Sequence, residues 1–251
     1  MQDKKDGHKI HLSRRLQAVA DYVTPGNRVA DVGCDHAYTA IYLAENEISP
    51  SVIAMDVNQG PINRANENIK KYGYSDIIAT RRSNGLEKLE EQEADTILIA
   101  GMGGNLMIQI LTAKKEVLQA ARELVLQPQS EIHKVRYMLQ EEGFLIVEEN
   151  MVKEDEKYYF IMKAIKNSLN KDAEKYVLVE KEHFYYGKLL LQQKNRILKE
   201  FMLWDYSLCE GIMQALNAEQ TENSQARKQE IKDRMDLLWR GLSYYEEESA
   251  N

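Results

Sequence analysis

The chain has 251 residues, room for one α/β domain plus an appendage or for one large domain. Its 43% apolar and 29% charged content is ordinary for a globular protein and excludes wholesale disorder. The formal net charge of -7 supplies no global attraction for a polyanion, so any nucleic-acid contact must come from local basic patches.

The opening MQDKKDGHKIHL is charged and lacks the apolar stretch of a signal peptide. No run approaches the ~20 uncharged apolar residues that span a bilayer, so no membrane partner is expected. Cys34 and Cys209 lie far apart without metal-type spacing. They predict neither a disulfide framework nor a metal site, and a reducing cytoplasm fits.

From about Arg28 to Lys166, short β-branched runs alternate with helical stretches. RVADVG, SVIAMDV, DIIATRR, DTILIAGM and ELVLQP are followed by FLIVEENMVKE and KYYFIMKAI. Between them Tyr38–Asn46, Ile62–Tyr72, Leu106–Ala113 and Ile132–Glu141 carry helical periodicity. Strand–helix alternation predicts a mostly parallel sheet with helices on both faces. The last two runs are separated only by the polar NMVKEDEK, so they are expected to pair antiparallel at one edge. Five strand–helix units and then a hairpin is the order of a Rossmann-like methyltransferase sheet.

After about Asn167 strand-like runs disappear, and no Pro occurs beyond Pro128. Tyr185–Leu216 and Glu219–Leu242 carry apolar residues at helical spacing, among them Leu189, Leu190, Ile197, Phe201 and Trp204, then Ile231, Met235, Leu238, Trp239 and Leu242. With a turn over Asn217–Ser224 they predict an antiparallel, coiled-coil-like α-helical hairpin, and the tail EEESAN reads as frayed. The division is thus 1–166 for the α/β domain and 167–251 for the extension. A packing or dimer face and a substrate arm both remain open for that extension.

The site signals lie at the strand ends. RVADVGCDHAY runs from an apolar strand through Asp31, Gly33, Cys34, Asp35 and His36 into a helix near Tyr38. Gly33 permits a ligand to approach the backbone, while Asp35 and His36 stand where a dinucleotide fingerprint needs further glycines. A carboxylate there repels a pyrophosphate and can accept bonds from a methionine-type amino group, favouring S-adenosyl-L-methionine over NAD. Asp56, beside Val57 at the next strand end, suits two ribose hydroxyls, and its alternative is a helix cap. Asn84 and Gly85 form either an adenine-reading edge or a plain turn. In Ala100-Gly101-Met102-Gly103 small residues let planar rings approach, and no Lys follows as a phosphate loop requires. Gln127 and Pro128 end the fifth strand at the same edge.

At these residues the chain resembles the bacterial tRNA (adenine-22-N1)-methyltransferase family: LSRRL at 12–16, ADVGCDHAY at 30–38, MDV, NGL at 84–86, ILIAGMGG at 97–104 and LQP at 126–128. Gln129 and SNG depart from the family pattern, and both keep amide hydrogen-bonding capacity. The resemblance implies methyl transfer from S-adenosyl-L-methionine to N1 of an adenosine in the tRNA D-arm. Adenine N1 has an in-plane lone pair, so it needs positioning more than a strong base. Asp35 is the candidate orienting residue at the reacting edge, with holding the cofactor amino group as its other role. Because N1 lies on the Watson–Crick edge, the nucleotide must be unpaired or extruded.

Arg14 and Arg15, Arg81 and Arg82, and Lys134 and Arg136 flank the proposed edge as candidate phosphate contacts. Tyr158 and its neighbour Tyr159 are candidates for stacking on a flipped base, or ordinary strand residues. The expected partner is tRNA, with the enzyme a monomer or weak dimer. The rival readings are a methyltransferase for another substrate and a non-catalytic RNA-binding protein.

Overall fold

The computed structural model describes residues 9–217 and 222–246. The chain divides into two compact units between Lys175 and Tyr176.

The first unit is built on a seven-stranded sheet of β1 (Val29–Val32), β2 (Val52–Asp56), β3 (Ile78–Arg82), β4 (Thr96–Met102), β5 (Glu123–Pro128), β6 (Phe144–Glu154) and β7 (Lys157–Lys166), in the order β3-β2-β1-β4-β5-β7-β6. β1 to β5 are parallel, whereas β7 runs antiparallel to both β5 and β6. Every residue of β1 and β5 is buried, as strands covered on both faces must be. Flanking them are α1 (Arg14–Ala20), α2 (Tyr38–Glu45), α3 (Gln59–Tyr72), α4 (Gly104–Ala113), α5 (Lys115–Ala120) and α6 (Ile132–Glu141), before the short α7 (Ala173–Tyr176). Val19, Ile41, Leu43, Ala65 and Ile69 of α1 to α3 join one apolar cluster with Val29, Val52 and Ala54 of the sheet. α4 packs against α6 and α5. The expected parallel sheet with an antiparallel edge is therefore present.

Several expectations need correction. The β3–β4 connection contains no helix, so there are fewer than five strand–helix units. α1, with seven residues, is too short to show periodicity. It is held by the Ser13 hydroxyl, which accepts from the Leu16 N–H at 3.3 Å, and by the Glu154 carboxylate, which accepts from the Arg15 N–H at 3.3 Å. The polar NMVKEDEK is mostly strand. β6 runs to Glu154, and the chain reverses at Asp155 and Glu156, whose φ values of 49° and 57° define a tight two-residue turn. Since β5 pairs with β7 only from Met162 to Ile165, the hairpin tip extends past the carboxyl end of β5. Arg136 is 0% exposed and ion-paired with Glu149 at 2.8 Å, so it is not a phosphate contact. Arg81 is paired with Glu93 at 2.6 Å and donates to the Lys88 carbonyl, which commits it to its own loop.

In the second unit a π-helical turn at His183–Gly187 leads into α8 (Lys188–Gln192), α9 (Arg196–Asn217) and α10 (Glu222–Ser243). The long helix expected from Tyr185 is broken before Arg196, where Lys194 takes φ 51° and Asn195 Oδ1 accepts from the N–H groups of Ile197 and Leu198. α9 and α10 are antiparallel: Arg234 binds Asp205, while Gly241 lies against Met202. The buried stripe of α9 is Leu198, Met202, Asp205 and Cys209, one position round from the expected one, and Trp204 and Trp239 are exposed. Of the turn expected over Asn217–Ser224, Asn217 ends α9 and 222–224 open α10; residues 218–221 and the tail residues 247–251 lie outside the described residues.

Candidate active site

The strand order reverses direction between β1 and β4, and at that switch point the sheet opens a crevice at its carboxyl edge. A cleft of about 270 Å³ lies there, lined by Asp31, Gly33, Cys34, Asp35 and His36 from β1 and its loop, Tyr38 and Thr39 of α2, Leu98, Ala100 and Gly101 of β4, and Arg15 and Leu16 of α1.

The loop after β1 is tightly specified. Gly33 has φ 82°, a left-handed conformation that strains any other side chain, and a Cβ there would also push aside the Met102 methyl. The N–H groups of Gly33 and Cys34 both donate to the Met55 carbonyl, at 2.8 and 2.9 Å. Asp35 and Ala37 are also left-handed, at φ 46° and 58°. Two side chains one turn apart on α3 hold this shape: Arg64 pairs with Asp35 at 2.9 Å, and Asn68 donates to the His36 carbonyl at 3.0 Å. The Asp35 carboxylate is 61% exposed, so that ion pair positions it more than it stabilises the fold.

Asp31 is the unusual group. It is buried at the end of β1, and its Oδ2 has no hydrogen-bond partner among the described residues. Burial alone raises its pKa to about 7. An unsatisfied buried carboxylate oxygen on a cleft wall is a ready acceptor for a cationic donor. Burial, helped by the neighbouring carboxylates of Asp31 and Asp56, also pushes the Cys34 thiol far up, which leaves it protonated and inert.

On the β4–β5 side the ladder slips between Ala100 and Met102, leaving Gly101 as a bulge with φ 78°. Its N–H donates to Gln127 Oε1 at 3.1 Å, and the same oxygen accepts from Arg15 Nη1 at 2.7 Å. Gln127 is fully buried, so it shapes the wall from behind. The Arg15 guanidinium lies over the Tyr159 ring, 5.3 Å from its centroid, while Lys153 lies over Tyr158. His36 and Tyr38 stack at 5.4 Å with an interplanar angle of 11°.

The remaining sequence-derived positions stand outside the cleft lining. Asp56 Oδ1 accepts from the Asn58 N–H at 2.8 Å, and Val57 is exposed beside it. Asn84 donates to Glu87 at 2.7 Å, and Gly85 lies against Ile110 of α4. Met102 covers Gly33, Gly103 sits beside Ser130, and Pro128 is buried. Arg14 is exposed on α1. Sequence reasoning missed Leu16, Thr39, Leu98 and the α3 pair Arg64 and Asn68. A helical spacing of four, facing an acidic loop, was the only available signal for that pair.

The sheet order, with its antiparallel seventh strand and a carboxylate-lined crevice at the switch point, defines a Rossmann-like methyltransferase. A methyltransferase-domain family model matches residues 12–162. The tRNA (adenine(22)-N(1))-methyltransferase of Bacillus subtilis (strain 168) is 32% identical over 232 residues, covering 92% of this chain and 97% of that protein. The crystal structure of the B. subtilis m1A22 tRNA methyltransferase TrmK superposes with a TM-score of 0.84, covering 93% of this chain and 100% of that one. TrmK from M. capricolum, solved with S-adenosyl-homocysteine, gives a TM-score of 0.79 at 27% identity and covers 94% and 99% of the two chains. The chain belongs to the tRNA (adenine(22)-N(1))-methyltransferase family.

Proposed function

We propose that this protein methylates N1 of adenosine 22 in the D-arm of tRNA, using S-adenosyl-L-methionine. The observation that carries the reading is Asp31, a buried carboxylate with an unsatisfied oxygen on the crevice wall of a chain similar to adenine-22 methyltransferases over 92% of its length. The cofactor supplies an electrophilic methyl group on a sulfonium. Asp31 accepts from its amino group, Gly33 lets it lie against the loop, and Asp56 accepts from the ribose hydroxyls. Cys34, His36, Val57, Asn84, Gly85, Ala100, Gly101, Met102 and Gly103 complete the cofactor environment, in contact with the ligand or behind those that are.

Adenine N1 presents its own lone pair, so the chain's residues orient the base and exclude water. Asp35, fixed by Arg64, is the polar group assigned to the reacting edge. Arg14, Arg15 and Tyr158 belong to the substrate side, which the buried Gln127 and Pro128 support from behind. We further propose that the helical unit is a tRNA-binding arm, and that the protein acts in the cytoplasm as a monomer or weak dimer. No helix among the described residues is long and apolar enough to cross a membrane, and none of their His, Cys, Asp or Glu side chains group as a metal site.

The test is nucleotide mapping of tRNA incubated with the protein and methyl-labelled cofactor. Label confined to N1 of adenosine 22 is the expected result. Label on another base, or none on RNA, overturns the assignment.

A further inference from the structure

Arg14 and Arg15 are adjacent in sequence and alike in chemistry, yet the structure treats them differently. Arg14 is exposed. Arg15 is half-buried and lines the cleft. Its Nη1 donates to Gln127 Oε1 at 2.7 Å, its Cζ lies 5.3 Å from the Tyr159 ring centroid, and its backbone N–H is held by Glu154. Gln127 is itself fixed by the Gly101 N–H. The guanidinium thus reaches the carboxyl ends of β4 and β5, and a Cβ on Gly101 would sit 3.8 Å from Nη1.

A bidentate phosphate contact uses two N–H groups along one edge of the guanidinium. In Arg15 one of these donors is committed to a buried amide and one face rests on an aromatic ring, which leaves the opposite face. What such a group offers a ligand in the cleft is a flat, pre-oriented surface. Guanidinium planes of this kind stack on unpaired bases. The stacked rings of His36 and Tyr38 give the same cleft a second planar element.

We propose that Arg15 is the surface on which the extruded target adenine stacks, while Arg14 contacts tRNA phosphate. This rests on the tRNA-methylating function proposed above and names how that site holds its base. Stacking fixes the ring plane, and therefore the direction of the N1 lone pair, in a reaction that depends on alignment. Arg15 is a substrate-positioning residue whose planarity matters more than its charge.

The test uses the full chain and an unmodified tRNA transcript. Single-turnover methylation at saturating tRNA, tRNA affinity at several salt concentrations, and calorimetric S-adenosyl-L-methionine affinity are measured for each variant. Arg15→Lys, which keeps charge and loses the plane, is expected to slow single-turnover methylation about 10- to 100-fold, the range of a lost base stack. Its salt slope stays at the parent value. Arg15→Tyr, flat and uncharged, recovers more of the rate than Arg15→Lys. Tyr159→Leu, which removes the ring behind the guanidinium, slows the reaction in the same sense. Arg14→Ala flattens the log–log salt slope by about one.

A flattened slope with an undiminished saturated rate in Arg15→Ala would show a phosphate contact and overturn the proposal. So would a Lys variant faster than the Tyr variant. If Arg15→Lys loses cofactor affinity, Tyr159→Leu decides, and an unchanged rate there also overturns it. A parent protein that transfers no methyl to tRNA refutes the underlying function instead, a result distinct from any of these.

Discussion

With Asp31 in its proposed role on the cofactor amino group, cofactor binding is expected to depend on pH. Burial raises its carboxyl from 3.8 to about 7, so the folded apoprotein holds a proton that the unfolded chain releases near pH 4. Apoprotein stability therefore falls as pH rises from about 4 to about 7 and stays low above that. In that proposed role Asp31 accepts in its ionised form, so affinity is expected to drop as pH falls through about 7, with proton release on binding below it. Calorimetry in buffers of different ionisation heat checks both. Asp31→Asn is expected to weaken cofactor binding by about 1–3 kcal/mol while raising the apoprotein melting temperature at pH 8 more than at pH 5. Equal affinity in the folded Asn variant would remove Asp31 from the site. Asp31 and Gly33 were legible because a strand end running into glycine is a local pattern. The unpartnered oxygen of Asp31 was not, since it is a property of burial. Arg136 misled for the same reason: its partner Glu149 is on another element, and the sequence shows only a cation beside a site segment.

At the scale of elements, all seven strands and four of the six helices that flank them were readable from periodicity, because each buries a face of its own. α1 was not, since seven residues carry too few turns, and its caps come partly from Glu154 far along the chain. The β6–β7 turn was misjudged because polar residues on a projecting hairpin resemble a loop. Asp155 and Glu156 sit there in left-handed geometry, which Asp tolerates and Glu disfavours. Replacing them with Asn-Gly is expected to stabilise the protein by about 0.5–1 kcal/mol, read as a higher denaturation midpoint at unchanged slope. The buried Arg136–Glu149 pair joins α6 to β6. Arg136→Met leaves Glu149 without its guanidinium and is expected to cost about 3–5 kcal/mol, most of it recovered when Glu149 is also made apolar. A double-mutant cycle measures the recovery.

Across the whole molecule, the two units divide the proposed work. A chain ending at Lys175 keeps every residue of the cleft, so it is expected to bind S-adenosyl-L-methionine like the parent and to methylate tRNA poorly. Full activity on intact tRNA would leave the helical unit without a role in substrate binding. The sequence marked this division through its change of periodicity, though the helix break before Arg196 depends on one left-handed residue and an Asn cap that no apolar pattern reveals. The clamp on Arg15 also bears on synthesis. Its partners Gln127 and Glu154 follow it by 112 and 139 residues, and Tyr159 comes later still. A ribosome therefore releases the LSRRL segment long before anything exists to receive it. The carboxylate loop after β1 can form early, whereas the arginine wall must wait for the hairpin to emerge. Nascent chains halted before β6 are thus expected to form the β1 loop, the proposed cofactor side, before the arginine wall exists.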